Sequence, residues 1–352
     1  MSDDLVITKE EKIIGKNHPT FIIAEIGQNH QGNIKTAKLL IETAKECGAD
    51  CVKFQKTCIT EKFSQSILQK SYINQNSWGD TYKAHKECLE FTEQQFLELQ
   101  KFALKCGILF SVSPMDLVSL KFLQTLDLPF IKIGSGDCNN LLLIETAAQM
   151  HVPLIISTGM QDLEMVNTVY QTVLRYHKKL CLLHCVSAYP APLEDINLNV
   201  LKLYKKTFPD IHIGYSGHEL GIDVTLAAVG LGAKVIERHI TLGHNQKGSD
   251  HICSLEPCEF KLLIHKIRTL EIAMGLPIKK IRPSEMPFVS KFTKSLVLAK
   301  TVRKGHRLSK DDLKIKVSEP IGVNAALLNC VIGKIVNRNI AEDETLTSAC
   351  MY

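Results

Sequence analysis

The chain has 352 residues, 45% of them hydrophobic and 22% charged, which is typical of an ordinary soluble globular protein. No apolar stretch approaches the roughly 20 residues that a membrane span needs, so we expect no membrane partner. The net charge is +5, but the basic residues do not form a dense run with interleaved aromatic residues. This pattern argues against nucleic-acid binding. The first residues lack the apolar core of a secretory signal, and the twelve cysteines are scattered, so we expect reduced thiols and a cytoplasmic location.

Short β-rich apolar runs alternate with helix-length amphipathic segments through most of the chain. The predicted strands are 20–27, 49–55, 107–112, 129–134, 152–158, 180–186, 211–216 and 234–240. One helix opens with Thr92 and Gln95 in a capping-box pattern. Eight strands that are apolar on both faces, each followed by a helix, predict a parallel (β/α)8 TIM barrel of the α/β class. A doubly wound open sheet is the alternative, but eight similar units over this length favour closure.

The segment between the second and third predicted strands, 57–90, is unusually long. It is polar and aromatic and has no clear period. Excursions of this length within a compact domain are uncommon and usually functional. This one follows the carboxyl end of a strand, the face on which barrel active sites lie, so we expect it to contribute to a site.

The pattern changes after the barrel, which we assign to 1–280. A linker at 281–293 leads to a small β-rich domain at 294–352, which contains ten Lys/Arg and six Asp/Glu. The domain has an internal repeat of apolar positions 38 residues apart: Leu298, Val302, Leu308 and Leu313 recur as Val336, Ile340, Leu346 and Met351. A domain this small is expected to need a docking partner, and we predict a homodimer in which each tail covers the barrel mouth of the other chain.

Two lysines inside apolar strands, Lys53 and Lys132, point to an anion site, because an unpaired buried ammonium is costly. The turns GSGD (134–137) and STGM (157–160) precede predicted helices, whose dipoles and free N–H groups would favour a phosphate. Three hydroxyls would reach the same face: those of Ser113, Ser135 and Ser157. The alternative is that each lysine is paired with a carboxylate and that Gly-Ser only makes a tight turn.

His218 and His239 end consecutive predicted strands, beside Glu25. Adjacent strands lie about 4.8 Å apart, so two imidazoles can reach one divalent ion. The alternative is an ordinary hydrogen-bonding role for each histidine. Glu25 could orient or deprotonate a water, or pair with Lys53. Asp250, in KGSDH, could be a loop ligand or a general base, or simply a turn residue.

With these residues assembled, the chain resembles the sialic acid synthase family over nearly its whole length. The segments that carry the resemblance are FIIAEIGQNHQGN, ADCVKFQK, IKIGSGDCNN, ISTGM, HCVSAYPAP, IGYSGHELG and KVIERHITL, followed by KGSDH and SLEP. The C-terminal portion is similar to the antifreeze-like (SAF, β-clip) domain that follows the barrel in this family.

The resemblance implies roles for individual positions. The divalent ion, Mn²⁺ or Mg²⁺, would be bound by His218 and His239. Phosphoenolpyruvate would be held by Lys53, Ser113, Lys132, Ser135 and Ser157. The amino sugar, the metal water or the reacting atoms would be held by Glu25, Gln55, Tyr189, Ser216 and Asp250. Asp137 is also assigned to the amino-sugar site, where many bacterial relatives have glutamate. Glu319 stands where an arginine that reaches the partner's sugar site is expected.

SWGDTYKAHKE resembles the animal branch of the family, whose acceptor is N-acetylmannosamine 6-phosphate. Lys83, His85 and Lys86 are then candidates for the second phosphate, or else part of a solvated loop. The expected reaction is a stepwise, metal-assisted condensation that gives N-acetylneuraminate 9-phosphate with C–O cleavage of phosphoenolpyruvate. The first alternative is the same reaction on the unphosphorylated sugar. The remoter alternatives are a Schiff-base pyruvate aldolase and a non-catalytic binding protein.

Overall fold

The computed structural model describes residues 4–7 and 12–352 and contains two compact units. The first unit ends at Gly275, and the second runs from Leu276 to Tyr352. The division falls where the last helix of the first unit ends, a few residues before the predicted end of the barrel at 280. The predicted linker, 281–293, is largely ordered as a 3-10 turn followed by a short helix.

The first unit is built on eight parallel strands, which confirms the predicted barrel. Two short antiparallel strands, β1 (Leu5–Val6) and β2 (Ile13–Ile14), precede it. The barrel strands are β3 (Phe21–Gly27), β4 (Cys51–Lys56), β5 (Leu109–Pro114), β6 (Ile131–Ile133), β7 (Leu154–Ser157), β8 (Leu180–Cys185), β9 (His212–Gly217) and β10 (Val235–His239). Their order is β5-β4-β3-β10-β9-β8-β7-β6, so the last strand returns to pair with the first.

The sheet closes almost completely between β5 and β6. Ser111 Oγ of β5 donates a 2.9 Å hydrogen bond to the carbonyl oxygen of Phe130, which directly precedes β6. A closed parallel barrel has one face of each strand toward the interior and the other toward the helices. This two-sided burial explains why the strands are apolar at successive positions in the sequence.

The barrel interior changes from apolar to polar along the strands. At the amino ends of the strands the interior is filled by a buried cluster that includes β1 and β2: Leu5, Ile7, Ile14, Phe21, Ile23, Cys51, Phe130, Ile155, Cys181, Leu183 and Val235. Toward the carboxyl ends the inward positions bear lysines, carboxylates, hydroxyls and histidines. The apolar end supports the fold, and the polar end is left for chemistry.

Helices surround the barrel. They are α1 (Ile34–Cys47), α2 (Ile59–Lys62), α3 (Gln65–Leu68), α4 (Tyr82–Leu89), α5 (Glu93–Cys106), α6 (Leu117–Leu123), α7 (Leu141–Gln149), α8 (Leu163–Leu174), α9 (Leu193–Ile196), α10 (Val200–Thr207), α11 (Asp223–Gly230) and α12 (Pro257–Met274). The capping box at the start of α5 is present, since Thr92 and Gln95 each satisfy the other's backbone N–H. In the described part of the chain, no helix has the length and apolar character needed to cross a membrane.

The long segment after β4 is ordered by packing rather than by a regular period. It contains α2, α3 and α4, and a bridge pairs Ser71 with Thr81. An aromatic cluster holds its centre, where the His85 ring lies 4.7 Å from that of Tyr72 and 6.2 Å from that of Tyr82. The segment is therefore a folded structure that follows the carboxyl end of a barrel strand.

The second unit contains α13 (Met286–Phe292), β11 (Lys294–Leu298), β12 (Leu313–Val317) and α14 (Leu328–Val331). Its core contains all eight positions of the internal repeat, six fully buried and two, Leu313 and Met351, partly buried. Corresponding positions of the two halves meet directly, because Val302 bridges Ile340. The repeat in the sequence thus reflects two similar half-motifs that share one core.

Candidate active site

A cavity of about 270 Å³ lies within the barrel at the carboxyl ends of its strands. It brings together residues from strands that are far apart in the sequence. Of the residues predicted from the sequence, the cavity is lined by Glu25, Lys53, Gln55, Ser113, Lys132, Ser135, Asp137, Ser157, Tyr189, Ser216, His218 and His239. These side chains lie together because all parallel strands of a barrel have their carboxyl ends on one face.

The cavity floor is a network of buried charges. Lys53 Nζ lies 2.7 Å from Glu25 Oε2, and Lys132 Nζ lies 3.4 Å from Glu237 Oε1. Glu237 also lies 3.9 Å from Lys53 Nζ. Each lysine is therefore paired with a carboxylate, as the alternative prediction expected. Both lysines also line the cavity. Two cations balanced by two carboxylates let the floor stay buried without a net charge.

The two carboxylates of this network titrate differently. Burial raises the pKa of Glu25, and the charge of Lys53 only partly offsets this effect. Burial would also raise the pKa of Glu237, but the charges of Lys132 and Lys53 together lower it. Neighbouring carboxylates whose pKa values are driven apart can take different acid and base roles. Glu25 therefore binds a proton more readily than Glu237, which lies between the two lysines.

Hydroxyl groups and small residues complete one wall. Ser113 Oγ accepts from Lys53 Nζ at 3.1 Å, and Ser157 Oγ accepts from Lys132 Nζ at 2.8 Å. Ser135 Oγ accepts from the backbone N–H of Gly159 at 3.0 Å. A Cβ at Gly159 would come within 2.2 Å of Ser187 Oγ and 2.9 Å of Ser135 Oγ, so a side chain there would displace hydroxyls of this wall.

The turns in this wall differ from the prediction in one respect. GSGD forms a single 3-10 turn and α7 begins only at Leu141, while α8 begins at Leu163, several residues after STGM. The helix dipoles therefore do not act directly at these turns. The space above Gly134 and Gly136 is open, because a Cβ at either glycine would meet nothing within 4 Å. An anion could approach the backbone there without a helix terminus.

His218 and His239 face each other across the cavity, with ring centroids 5.4 Å apart. His218 Nδ1 lies 2.9 Å from the carbonyl oxygen of Val186, whereas His239 Nδ1 is buried with no hydrogen-bond partner in the described structure. Burial lowers the pKa of His239 to about 3, so its imidazole is neutral at physiological pH. A neutral imidazole is a suitable ligand for a divalent ion. Burial would also lower the pKa of His218, but its contact with Cys185 raises it.

Two histidines alone do not make a closed metal site. Within residues 4–7 and 12–352, no cluster of three or more His, Cys, Asp or Glu side chains is arranged to hold an ion. The unpartnered nitrogen of His239 beside His218 nevertheless fits an ion whose remaining positions are filled by substrate and water. The residues present fit an open divalent site and do not fit a structural one.

Asp250 does not line the cavity. It lies in the loop after β10, where Ser249 Oγ donates to its carboxylate at 2.7 Å. Burial lowers the pKa of His239 and the charge of Asp250 opposes this effect, so Asp250 lies within electrostatic reach of that histidine. The position of Asp250 is therefore compatible both with a simple turn residue and with a functional residue.

The three residues predicted to bind a second phosphate are separated by the structure. Lys83 is exposed and pairs with Glu87 at 3.6 Å. His85 is buried among aromatic rings, and burial lowers its pKa to about 4, so it carries no charge at neutral pH. Lys86 is half-buried, and its Nζ donates to Gln28 Oε1 at 3.1 Å. Of the three, only Lys86 combines a positive charge with partial burial.

Several cavity residues were not assigned a role from the sequence. Glu237 is already indicated as a strand-end residue, because it lies two positions before His239 and therefore on the same strand face. Cys185 ends β8 with its Sγ 3.8 Å from His218 Nδ1. Lys62, on α2, also lines the cavity. No pattern in the sequence indicates Lys62, because it lies in a segment without a period.

The nearly closed parallel barrel, with buried lysines and a facing histidine pair at the carboxyl ends of its strands, has the architecture of a TIM-barrel enzyme. The NeuB family model matches residues 40–279, and the SAF domain model matches residues 293–350. The chain thus belongs to the NeuB family, the sialic acid synthases, and it has the SAF domain predicted from the sequence.

Individual relatives agree with this assignment. The chain is 48% identical over 333 residues to N-acetylneuraminate-9-phosphate synthase of Homo sapiens, covering 95% of this chain and 93% of that protein. It is 44% identical to the synthase of the same name from Drosophila melanogaster, covering 93% and 94%. Among solved structures, the sialic acid synthetase of Leptospira borgpetersenii, crystallised with citrate, matches with a TM-score of 0.73 and 31% identity over 83% of this chain and 96% of that one.

Proposed function

We propose that this enzyme condenses phosphoenolpyruvate with N-acetylmannosamine 6-phosphate to give N-acetylneuraminate 9-phosphate and inorganic phosphate. The observation that carries the proposal is a single cavity that joins two buried lysines, three serine hydroxyls and a facing histidine pair. The animal relatives are named for this activity and match the chain over nearly its full length.

In this proposal the cavity floor holds phosphoenolpyruvate. Lys53 and Lys132 offer positive charge from below, and Ser113 and Ser157 already accept hydrogen bonds from these ammonium groups. Each hydroxyl has an oriented lone pair occupied by a lysine, so its own proton is free to be donated to a phosphate or carboxylate oxygen. Gly134 and Gly136 leave room for the anion beside the backbone.

The chemistry forms one carbon–carbon bond and exchanges one carbon–oxygen bond at C2. C3 of phosphoenolpyruvate attacks the aldehyde carbon of the open-chain sugar; the aldehyde oxygen takes up a proton to become a hydroxyl, and a cationic centre is left at C2. Water adds to C2 and gives up one proton. The new hydroxyl loses its second proton as the C2–O bond to phosphate breaks, which leaves the C2 ketone and inorganic phosphate with the bridging oxygen. Glu25, whose pKa burial raises, accepts the water proton, while Gln55 Nε2 donates to Glu25 Oε1 at 2.7 Å and orients the carboxylate. The fixed charges of the floor hold both substrates close to the reacting geometry.

A divalent ion is part of the proposal. His218 and His239 would bind Mn²⁺ or Mg²⁺, and such an ion would supply Lewis acidity toward the aldehyde oxygen. Support comes from the buried, unpartnered Nδ1 of His239 and from the lowered pKa that keeps this imidazole neutral. Tyr189 packs against His218 with ring centroids 4.1 Å apart and helps to fix its orientation.

A Schiff-base aldolase is the competing activity, and one observation favours it. Burial lowers the pKa of Lys132, which makes its amine more available as a nucleophile. The two activities differ in a direct test, because borohydride with pyruvate would trap a lysine adduct and inactivate an aldolase. Continued turnover after this treatment, with no mass increase on Lys132, is expected for the condensing enzyme.

The test of the proposed function is a turnover assay with phosphoenolpyruvate and Mn²⁺. Phosphate release and the nine-carbon product are measured with N-acetylmannosamine and with its 6-phosphate. We expect efficient use of the 6-phosphate and poor use of the free sugar. A higher kcat/KM for the free sugar would instead assign the unphosphorylated acid as product.

The proposal also includes the cellular setting and the assembly. All twelve cysteines are free thiols, which suits a reducing compartment, and we place the enzyme in the cytoplasm. The SAF domain is small and basic, as expected for a domain that docks onto another chain, and we place the enzyme in a homodimer.

A further inference from the structure

Two half-buried lysines, Lys62 and Lys86, differ from the lysines of the cavity floor. Lys53 and Lys132 each have a carboxylate oxygen within 4.0 Å. Among the residues described, neither Lys62 nor Lys86 has one. Lys62 Nζ contacts the thioether sulfur of Met115 at 2.7 Å, and Lys86 Nζ contacts the amide oxygen of Gln28 at 3.1 Å. These are weak partners for a partly buried ammonium group.

The two lysines come from different parts of the long segment after β4, on helices α2 and α4, which contact each other. Lys62 ends α2 and lines the cavity, while Lys86 is on α4. Burial lowers the pKa of each lysine, and the charge of Lys62 lowers that of Lys86 further, while Asp137 and Asp250 act on Lys62 and Lys86 in the opposite direction without forming an ion pair. Two partly buried cations without a close carboxylate gain most from a ligand with two negative charges.

The position of the lysines distinguishes this ligand from phosphoenolpyruvate. Lys62 and its neighbour Met115, which follows β5, line the cavity. Lys86 contacts Gln28, which follows β3 at the same end of the barrel. The floor groups proposed for phosphoenolpyruvate lie within the strands themselves. A hexosamine whose aldehyde reacts at the floor directs its opposite end, with the 6-phosphate, toward the rim.

We propose that Lys62 and Lys86 together form the subsite for the terminal phosphate of the acceptor. This inference rests on the proposed function and extends it. It assigns recognition of the phosphate to Lys62 and Lys86 instead of the exposed Lys83 and the uncharged His85. The sequence alone did not indicate that Lys62 and Lys86 act together. A phosphate monoester carries about two negative charges and accepts charge-assisted hydrogen bonds from both ammonium groups.

The experiment compares kcat/KM for the two acceptors, the 6-phosphate and the free sugar, in Lys62→Met and Lys86→Met. Each variant is expected to lose roughly 10- to 100-fold in kcat/KM for the 6-phosphate, mainly through KM, with little change for the free sugar. Lys62→Arg should recover much of the loss, because it restores the charge. Lys70→Met, an exposed lysine of the same segment, is the matched control.

The free sugar also reports on folding, because a misfolded variant loses both acceptors together. If Lys62→Met does not fold, Lys86→Met and Lys62→Gln give the same comparison. An unchanged ratio between the acceptors in a folded variant would overturn the inference while leaving the proposed function intact. A higher KM for phosphoenolpyruvate with an unchanged acceptor ratio would also overturn it. A preference of the wild-type enzyme for the free sugar would overturn both the inference and the proposed function. This measurement comes first, before any variant is made.

Discussion

Arg238 and Glu219 form an ion pair with 2.9 Å between Nη1 and Oε1, and neither side chain is accessible to solvent. Arg238 also donates to the backbone oxygen of Glu219 at 2.6 Å and to Thr225 Oγ1 at 2.8 Å. Arg238 precedes His239 on β10, and Glu219 follows His218 at the end of β9. The pair thus ties together the two strand ends that present the histidines.

Breaking this pair is expected to be costly. Glu219→Gln leaves Arg238 charged and unpaired, which should lower the free energy of unfolding by about 3–5 kcal/mol in urea denaturation. Because the spacing of the histidines would relax, Mn²⁺ binding measured by calorimetry should weaken as well. Lys38→Met, which breaks the exposed Lys38–Glu98 pair, is the control and should change stability by less than about 1 kcal/mol. Equal effects of both variants would contradict a special role for the buried pair.

The histidine pair makes a direct prediction about metal dependence. His218→Ala and His239→Ala should each abolish turnover, because each imidazole would supply one of two protein ligands. A chelator should inactivate the wild-type enzyme reversibly. Calorimetry with Mn²⁺ on the folded variants separates lost binding from lost chemistry. His265→Ala, an exposed histidine on α12, should retain both activity and binding. Full activity in excess chelator would remove the metal from the mechanism.

Lys132 tests the phosphoenolpyruvate site. Lys132→Met should raise KM for phosphoenolpyruvate roughly 10- to 150-fold, as expected for the loss of one charged hydrogen bond. It also leaves Glu237 buried without this partner, so stability is expected to fall. Adding Glu237→Gln should restore stability without restoring KM. If the double variant recovers the wild-type KM, Lys132 serves only as a partner for Glu237. Lys53→Met is expected to raise KM in the same way.

Asp312 makes the stability of the SAF domain dependent on pH. Burial would raise its pKa, but hydrogen bonds from Lys300, His306 and Ser309 hold that pKa well below its usual value. The sign follows from the depressed pKa: the stabilisation is present at neutral pH and is lost as pH falls below about 4, the pKa of an unfolded aspartate. Thermal unfolding of the domain from pH 7 to pH 3 should show this loss.

Substitution of Asp312 checks the assignment. Asp312→Asn should lower the unfolding free energy of the domain at pH 7 by about 1–3 kcal/mol and should flatten its acid dependence. The neighbouring exposed Asp311→Asn is the control. If both variants retain the acid dependence of the wild type, another carboxylate is responsible for it.

The predicted homodimer is tested by light scattering coupled to size exclusion. We expect a mass of twice the 39.4 kDa chain at assay concentrations. Activity that falls on dilution in parallel with the dimer fraction would connect assembly to catalysis. A monomer with full activity would contradict the prediction.

The sequence by itself determined the barrel and most of the cavity lining. Strands buried on both faces appear in the sequence as apolar runs that alternate with amphipathic helices. The capping box of α5 and the repeat of the second unit are also local sequence patterns, and both could be predicted. Because parallel strands align their carboxyl ends, the residues at those ends could be collected in advance, from Glu25 to His239. These features depend on local periodicity and on a general rule of the fold.

Only the tertiary structure decided how charges pair and which rim residues face the cavity. The sequence does not indicate that Glu237 lies between Lys53 and Lys132, because that contact joins three strands distant in the chain. The segment after β4 has no period, so its packing alone turns Lys62 into the cavity and leaves Lys83 in solvent. Side-chain direction in irregular structure depends on long-range contacts, and such contacts leave no repeat in the sequence.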